Sequence, residues 1–419
     1  MIVSWARRYS VVALTSLACV ICYSDRVNIS VAAVAMREQF QWSQTEKGLV
    51  LSAFFLGYLL FMFLGGVLAT RIGGRIVLGC AVLAWSLFTL LTPPAAMTSL
   101  AVLIAARIGM GLGEAPMFPA GYDLFGRWVP ERERARAVAW LMSGIPLGTI
   151  IGLAGSAWLV AKYGWPMTFY VFGLVGLLWL TVWFPQVTND PAQDPRLNAA
   201  ERALLPVARA SSAAARARLP FAKLLRAPVL AIVAGHFALT WSLYVLLSWL
   251  PSYFRDVQHL SIAHAGLFSA APWLTMFAIT IAAGSLSDRM VGRGASTTSM
   301  RKLMQCGGLL LSALFLLATR NAHSPGTALL LLCGGTGALG CSWSGFAPSV
   351  LDVAPRHSAL LHGFSNSFAT IPGIVGVAVI GWLIDVTGTY SAAFVLTASV
   401  SLVGAILFWW LFDARPVLG

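Results

Sequence analysis

The stretch VVALTSLACVICYSDRVNISVAAV, residues Val11 to Val34, decides the fold. A bilayer-spanning helix needs about 20 apolar residues, and this run supplies them. Yet it holds two adjacent opposite charges, Asp25 and Arg26. A second pair, Arg107 and Glu114, sits inside another apolar stretch, from Ala95 to Leu124. Ionisable side chains at bilayer depth are expensive to bury, and those that persist face an internal cavity where they handle ions, protons or a charged solute. Two helical turns separate Arg107 from Glu114, which puts both on one helix face. Four charges on two helices read as a polar site rather than as two staples between helices.

The composition fixes the class. Hydrophobic residues make up 58% of the 419 and charged residues 10%, against about 25% charged in a soluble domain; the mean hydropathy is +0.79. Twelve apolar segments are predicted, centred near residues 22, 58, 84, 110, 148, 176, 239, 275, 311, 337, 370 and 401. The first is not a cleavable signal, because it contains Asp25-Arg26 and lacks a small-residue cleavage pattern. The net charge of +13 does not call for nucleic acid. With both termini in the cytoplasm, most of the Lys and Arg fall in cytoplasmic loops, the asymmetry that orients membrane proteins.

The chain breaks once. Between Pro185 and Pro228 apolar periodicity gives way to Pro, Ala, Arg and Asp. The expected organisation is a six-helix bundle over 1–184, a solvated cytoplasmic linker over 185–228 with a short surface helix near Ala199 to Arg209, and a second six-helix bundle over 229–419. The halves repeat weakly: Gly66-Val-Leu-Ala-Thr70-Arg71 follows the second span and Gly284-Ser-Leu-Ser-Asp288-Arg289 follows the eighth. A parallel repeat of six-helix halves is a transporter architecture. Gly66, Arg71, Gly284, Asp288 and Arg289 are therefore expected to form a cytoplasmic gate, with glycine permitting close helix approach and the charges latching to helix ends.

Further motifs make the likeness definite. They include Tyr23-Ser-Asp25-Arg26-Val-Asn28-Ile-Ser30, Phe54-Phe55-Leu-Gly57-Tyr58 and Arg107-Ile-Gly-Met-Gly-Leu-Gly-Glu114-Ala-Pro116-Met-Phe-Pro119. After these come Arg127-Trp128, Glu131-Arg-Glu-Arg134, Tyr244-Val-Leu-Leu-Ser-Trp249-Leu-Pro251-Ser-Tyr253-Phe254, Asp352-Val-Ala-Pro355 and His362-Gly363-Phe-Ser-Asn366. Over essentially its whole length the chain resembles the major facilitator superfamily, in particular its anion:cation symporter branch. That branch includes bacterial proton symporters for sugar acids and other carboxylates, animal sialic-acid and vesicular glutamate carriers, and plant phosphate carriers. The resemblance implies an all-α membrane protein with twelve transmembrane helices in two pseudo-symmetric six-helix bundles. It also implies a division of labour: Asp25 and Glu114 as proton sites, Arg26 as the substrate-anion contact and Arg107 as the charge partner of Glu114. Tyr23 and Tyr58 would add hydroxyls and ring faces, and Asn366 amide contacts from the other half.

The residue types suit those tasks. A carboxylate in low dielectric can bind and release a proton near neutral pH, and a guanidinium binds an anion through a planar fork. For Tyr58 and Asn366, helix-to-helix hydrogen bonding is an equal reading. Departures bear on substrate: Ser143-Gly144-Ile145-Pro146-Leu147-Gly148 stands where many relatives carry a Gln, Leu51 and Leu239 stand where glutamate carriers have His and Arg, and Ser349 stands where many eukaryotic members have Asn. Cys19-Val-Ile-Cys22 reads as packing within an apolar helix, as do His236 and His362 and the stripe Gly144, Gly148, Gly152. Gly335-Thr-Gly337-Ala-Leu-Gly340 fits a dinucleotide pattern by letters only, since no strand precedes it. No nucleophile triad, metal motif or phosphate loop appears, so no enzyme, cofactor or metal is expected.

The sequence thus points to a monomeric, multi-pass carrier of the cytoplasmic (inner) membrane. It imports an organic carboxylate, a sugar acid first, with protons and by alternating access. The alternatives are an aromatic or di/tricarboxylate, inorganic phosphate, a proton-antiport exporter, or a membrane nutrient receptor.

Overall fold

A bilayer core offers no water to backbone N–H and C=O groups, so long apolar runs fold as helices that satisfy those groups internally. The computed structural model describes residues 6–204, 224–355 and 357–417. Its α-helices are α1 (Arg7–Phe40), α2 (Gln44–Ile72), α3 (Gly74–Thr98), α4 (Leu100–Glu114), α5 (Met117–Trp128), α6 (Glu131–Tyr163), α7 (Trp165–Gln186) and α8 (Ala199–Leu204). They continue as α9 (Ala227–Asp256), α10 (Ile262–Gly292), α11 (Thr297–Thr319), α12 (Pro325–Val353), α13 (Ser358–Ile371), α14 (Val377–Thr387) and α15 (Ser391–Leu411). Among the described residues, 12 helical segments are long and apolar enough to cross a membrane, and every expected centre falls inside one. The fourth span is α4 plus α5, interrupted between Glu114 and Met117 where Pro116 withholds an N–H. The eleventh is α13 plus α14, joined by a π-helical turn over Pro372–Gly376.

The chain divides into two compact units, Met1–Ala32 with Ala53–Ala217, and Ala33–Ser52 with Arg218–Gly419. In the first, α3 packs against α4, α5 and α7, and α6 against α7. Glycine sets how near the helices come. A Cβ on Gly57 of α2 would strike the carbonyl of Ile108, and one on Gly111 of α4 would strike the carbonyl of Phe54, so α2 and α4 meet backbone to backbone. The stripe Gly144, Gly148, Gly152 of α6 packs on α1 in the same way, and Ser24 donates to the Gly148 carbonyl at 3.0 Å.

The expected solvated linker is in part folded against this unit. Asp194 and Glu201 are buried. Asp194 pairs with Arg196 at 2.9 Å and Arg7 at 3.4 Å, while Glu201 accepts the backbone N–H groups of Arg7 and Arg8 at 3.0 and 2.9 Å. The acidic residue thereby satisfies orphan donors at the start of α1, where a helix N-terminus favours negative charge. The expected surface helix is present as α8 over its described part. Residues 205–223, which include Arg209, Arg216, Arg218 and Lys223, lie outside the described residues, as does Arg356.

The second unit gathers α9 to α15 and takes in residues 33–52. The grouping of 33–52 departs from a split at the linker alone, and its cause is specific. Asp385 of α14 accepts the N–H groups of Gln44 and Thr45 at 2.9 and 2.7 Å, capping α2. Asp256 accepts from Gln44 at 3.2 Å and from the Tyr390 hydroxyl at 2.7 Å. Lys47 is 1% exposed in the first turn of α2. Its ammonium donates to the Ser252 hydroxyl at 2.9 Å and lies 4.6 Å from the centre of the Trp249 ring. A sequence window sees Lys47 as the flank of an apolar run; only the fold shows that the flank is enclosed.

Candidate functional site

The first unit builds a buried charged site from α1, α2, α3 and α4. Helix α4 ends at Glu114, which puts its carboxylate at the interruption before α5. There it meets Arg26 of α1, whose Nε and Nη2 both donate to Glu114 Oε2, at 2.9 and 2.8 Å. The Arg26 guanidinium carbon lies 4.5 Å from the Tyr23 ring, 4.7 Å from Phe54 and 5.0 Å from Tyr58. Three aromatic faces hold the cation through their ring quadrupoles. Tyr23 and Tyr58 stand beside Arg26, and Phe54, which the sequence offers only as part of a motif, completes the box.

The expected pairing of Arg107 with Glu114 is not the one formed. Arg107 shares the face of Glu114 in sequence spacing, but the carboxylate turns towards α1 and is taken by Arg26. Arg107 donates instead to the Met110 sulfur at 2.8 Å and lies 5.7 Å from the Phe54 ring. Its Nε has no hydrogen-bond partner among the described residues. Glu114 and Asp25 are the acids whose charge it feels. Helical spacing identifies residues that can meet; it does not choose between a partner on the same helix and one on a neighbour.

Asp25 is 0% exposed. Its surroundings include Trp85 and Thr89 of α3, with Arg107 and Glu114 as charged neighbours. Trp85 and Thr89 are the donors beside the Asp25 carboxyl, though neither Asp25 oxygen nor the Trp85 indole N–H meets strict hydrogen-bond geometry among the described residues; Glu114 Oε1 and both amide atoms of Asn28 have no partner there. Native proteins rarely leave buried polar atoms unsatisfied, so each of these calls for an explanation. Trp85 carried no signal in the sequence beyond an apolar run. Cys22, which sequence reading gave to packing, donates its thiol to Glu114 Oε2 at 3.2 Å.

Asn366 lies on α13 in the second unit, where its carbonyl accepts from Thr370 at 2.9 Å. One turn earlier on the same helix stands His362, beside the buried His236, whose ring bonds the Ser365 hydroxyl at 2.7 Å and sits 4.0 Å from Phe346. Of the expected gate residues, Arg71, Asp288 and Arg289 are exposed and form no ion pair among the described residues. The pairs near them are Asp123 with Arg127 at 3.0 Å, where Asp123 also accepts the Gly74 N–H, and Arg301 with Asp352 at 2.8 Å. Among the described residues, no group of three or more His, Cys, Asp or Glu side chains could hold a metal ion.

The sequence profile described as Major Facilitator Superfamily matches residues 15–359. The chain is 37% identical over 408 residues to the Sodium-dependent phosphate transport protein 1, chloroplastic, of Arabidopsis thaliana, covering 97% of this chain and 79% of that one. It is 35% identical over 407 residues to the Ascorbate transporter, chloroplastic, of the same plant, with 97% and 75% covered. Among solved structures, a bacterial homolog to the human lysosomal transporter Spinster superposes with a TM-score of 0.78 at 17% identity, covering 97% and 96%. A D-xylose-proton symporter superposes with a TM-score of 0.72 at 15% identity, covering 98% and 99%.

Proposed function

The chain belongs to the Major Facilitator Superfamily, and from that premise we propose that it imports an organic carboxylate, a sugar acid first, by proton symport with alternating access in a cytoplasmic membrane. One observation carries the reading: Arg26 gives two donors to a single oxygen of Glu114 inside an aromatic box. A guanidinium so engaged cannot offer the same fork to a substrate. Once Glu114 takes a proton, the ion pair loses its Coulombic term and Arg26 is released to grip an anion. Proton and substrate are then linked through one side chain, because the anion binds the form that the proton creates.

Asp25 supplies the second proton site. Its carboxyl is buried away from water, where an anion is costly to hold. Arg107, ion-paired with neither acid among the described residues, balances whichever of Asp25 and Glu114 is ionised. The faces of Tyr23, Phe54 and Tyr58 favour a ligand with C–H surface beside its charge, as a sugar acid has, over a small fully hydrated anion. The likeness to a carrier named for ascorbate, itself an acidic sugar derivative, agrees with that choice.

A second reading, phosphate with sodium as the coupling ion, is favoured by the printed name of the Arabidopsis relative. Both are tested by uptake into proteoliposomes of radiolabelled aldonates, uronates, ascorbate and phosphate, under an inward proton or an inward sodium gradient. Accumulation of a sugar acid driven by protons is expected. Accumulation of phosphate alone, driven by sodium, would replace this reading with the second.

A further inference from the structure

Cys19 and Cys22 lie one turn apart on α1 but face different helices. A Cβ on Gly144 of α6 would come within 2.9 and 3.0 Å of the Cys19 Cβ and Sγ, so Cys19 is committed to packing. Cys22 turns to α4. Its thiol donates to Glu114 Oε2 at 3.2 Å, the oxygen that also takes both Arg26 donors, and Arg26 Nη2 in turn reaches the Cys22 sulfur at 3.9 Å. Both cysteines are free, and both are fully buried. The sulfur therefore sits inside the ion pair rather than beside it.

We propose that Cys22 is a positioning residue for proton coupling: its thiol holds the Glu114 carboxyl in place through both protonation states and sets the pH at which Arg26 is released. A thiol can donate weakly to a carboxylate and accept weakly from a carboxylic acid. Rotation about Cβ–Sγ alone converts one role to the other. Arg26 has donors only, and its hold ends when Glu114 is protonated. Cys22 keeps the side chain aimed while the guanidinium turns away. An Ala would leave the carboxylate one donor short, and a Ser would replace a weak donor by a stronger one. The titratable and charged groups that face Glu114 are Cys19, Cys22, Asp25 and Arg26 of α1 and Arg107 of its own helix. Tyr23 and Tyr58 flank the guanidinium. Cys22 and Arg26 hydrogen-bond to the carboxylate.

The inference rests on the reading of Glu114 as a proton site, and the test separates the two. The infrared carboxyl band of protonated Glu114, identified by its loss in Glu114→Gln, is followed against pH in purified wild type, Cys22→Ala and Cys22→Ser. The band is expected to titrate in all three. Its midpoint should move to higher pH in Cys22→Ala, by a factor of about three to ten in proton affinity, the order expected for one weak bond to a charged acceptor. The Ser variant should titrate at or below the wild-type midpoint, and the pH dependence of uptake should follow. The S–H stretch of Cys22 should also shift in Glu114→Gln, which needs no cysteine variant to fold. Equal midpoints in wild type, Ala and Ser, or an S–H band indifferent to Glu114→Gln, would overturn the inference and leave the proton site standing. Absence of any Glu114 titration in wild type would overturn the proton site, and the inference with it.

Discussion

Arg26 presents two donors to one oxygen of Glu114 in the structure, and the same fork is what an anionic substrate would use. Arg26→Lys keeps the charge but has only a compact ammonium. Substrate affinity is expected to fall about 10- to 100-fold, on the order of 1.5–3 kcal/mol for bonds to a charged group, with the protein still folded. Isothermal titration with the transported anion, beside a thermal melt, would show it; unchanged affinity would remove Arg26 from the substrate site. Asp25→Asn should abolish gradient-driven accumulation while exchange of labelled for unlabelled substrate survives. At this scale the sequence was informative about which residues matter and less so about which meet. Asp25, Arg26, Arg107 and Glu114 stand out because charge in an apolar run is rare. That Glu114 pairs across to Arg26, with Cys22 as a third partner, depends on the angle at which α1 crosses α4, which no spacing along one helix encodes.

Helix-scale behaviour follows from caps and close contacts. Asp385 caps α2 through the N–H groups of Gln44 and Thr45, so Asp385→Asn should lower stability by about 1 kcal/mol. Lys47→Met should be neutral or stabilising, because it keeps the volume of a buried cation that, among the described residues, hydrogen-bonds to a serine hydroxyl rather than a carboxylate. Melting temperatures in detergent would check both, and a strongly destabilised Lys47→Met would show that its ammonium is better matched than the geometry indicates. Gly111→Val places a branched side chain against the Phe54 carbonyl and should prevent recovery of monodisperse protein. In the linker, burial pushes the Asp194 carboxyl up, but Arg196 and Arg7 outweigh it and hold the group below its usual range. A depressed acid contributes stability above its unfolded value, and that contribution is lost as the pH falls through the folded one. Hydrogen exchange around α8 should therefore be protected at neutral pH and quicken, relative to the spans, below about pH 4. The glycines that let α2 approach α4 were visible as letters; that the linker start is folded was not, since its Pro- and Asp-rich composition reads as solvated and its ion pairs are long-range.

For the whole molecule, hydropathy alone located the twelve spans, because a bilayer demands uninterrupted apolar length and leaves few other solutions. The two glycine-and-charge repeats marked equivalent helix ends, yet Asp288 and Arg289 stand exposed while Arg301 and the half-buried Asp352 pair nearby. Asp352→Asn should therefore disturb folding and transport more than Asp288→Asn does. The transport claim itself depends on anion and proton sharing Arg26. Its most direct test is proton uptake on substrate binding, read with a pH indicator in weakly buffered solution after the transported anion is added to purified protein. Wild type should take up protons as the anion displaces Glu114 from Arg26, and Glu114→Gln should take up fewer. Substrate binding to wild type with no change in proton content would contradict the account.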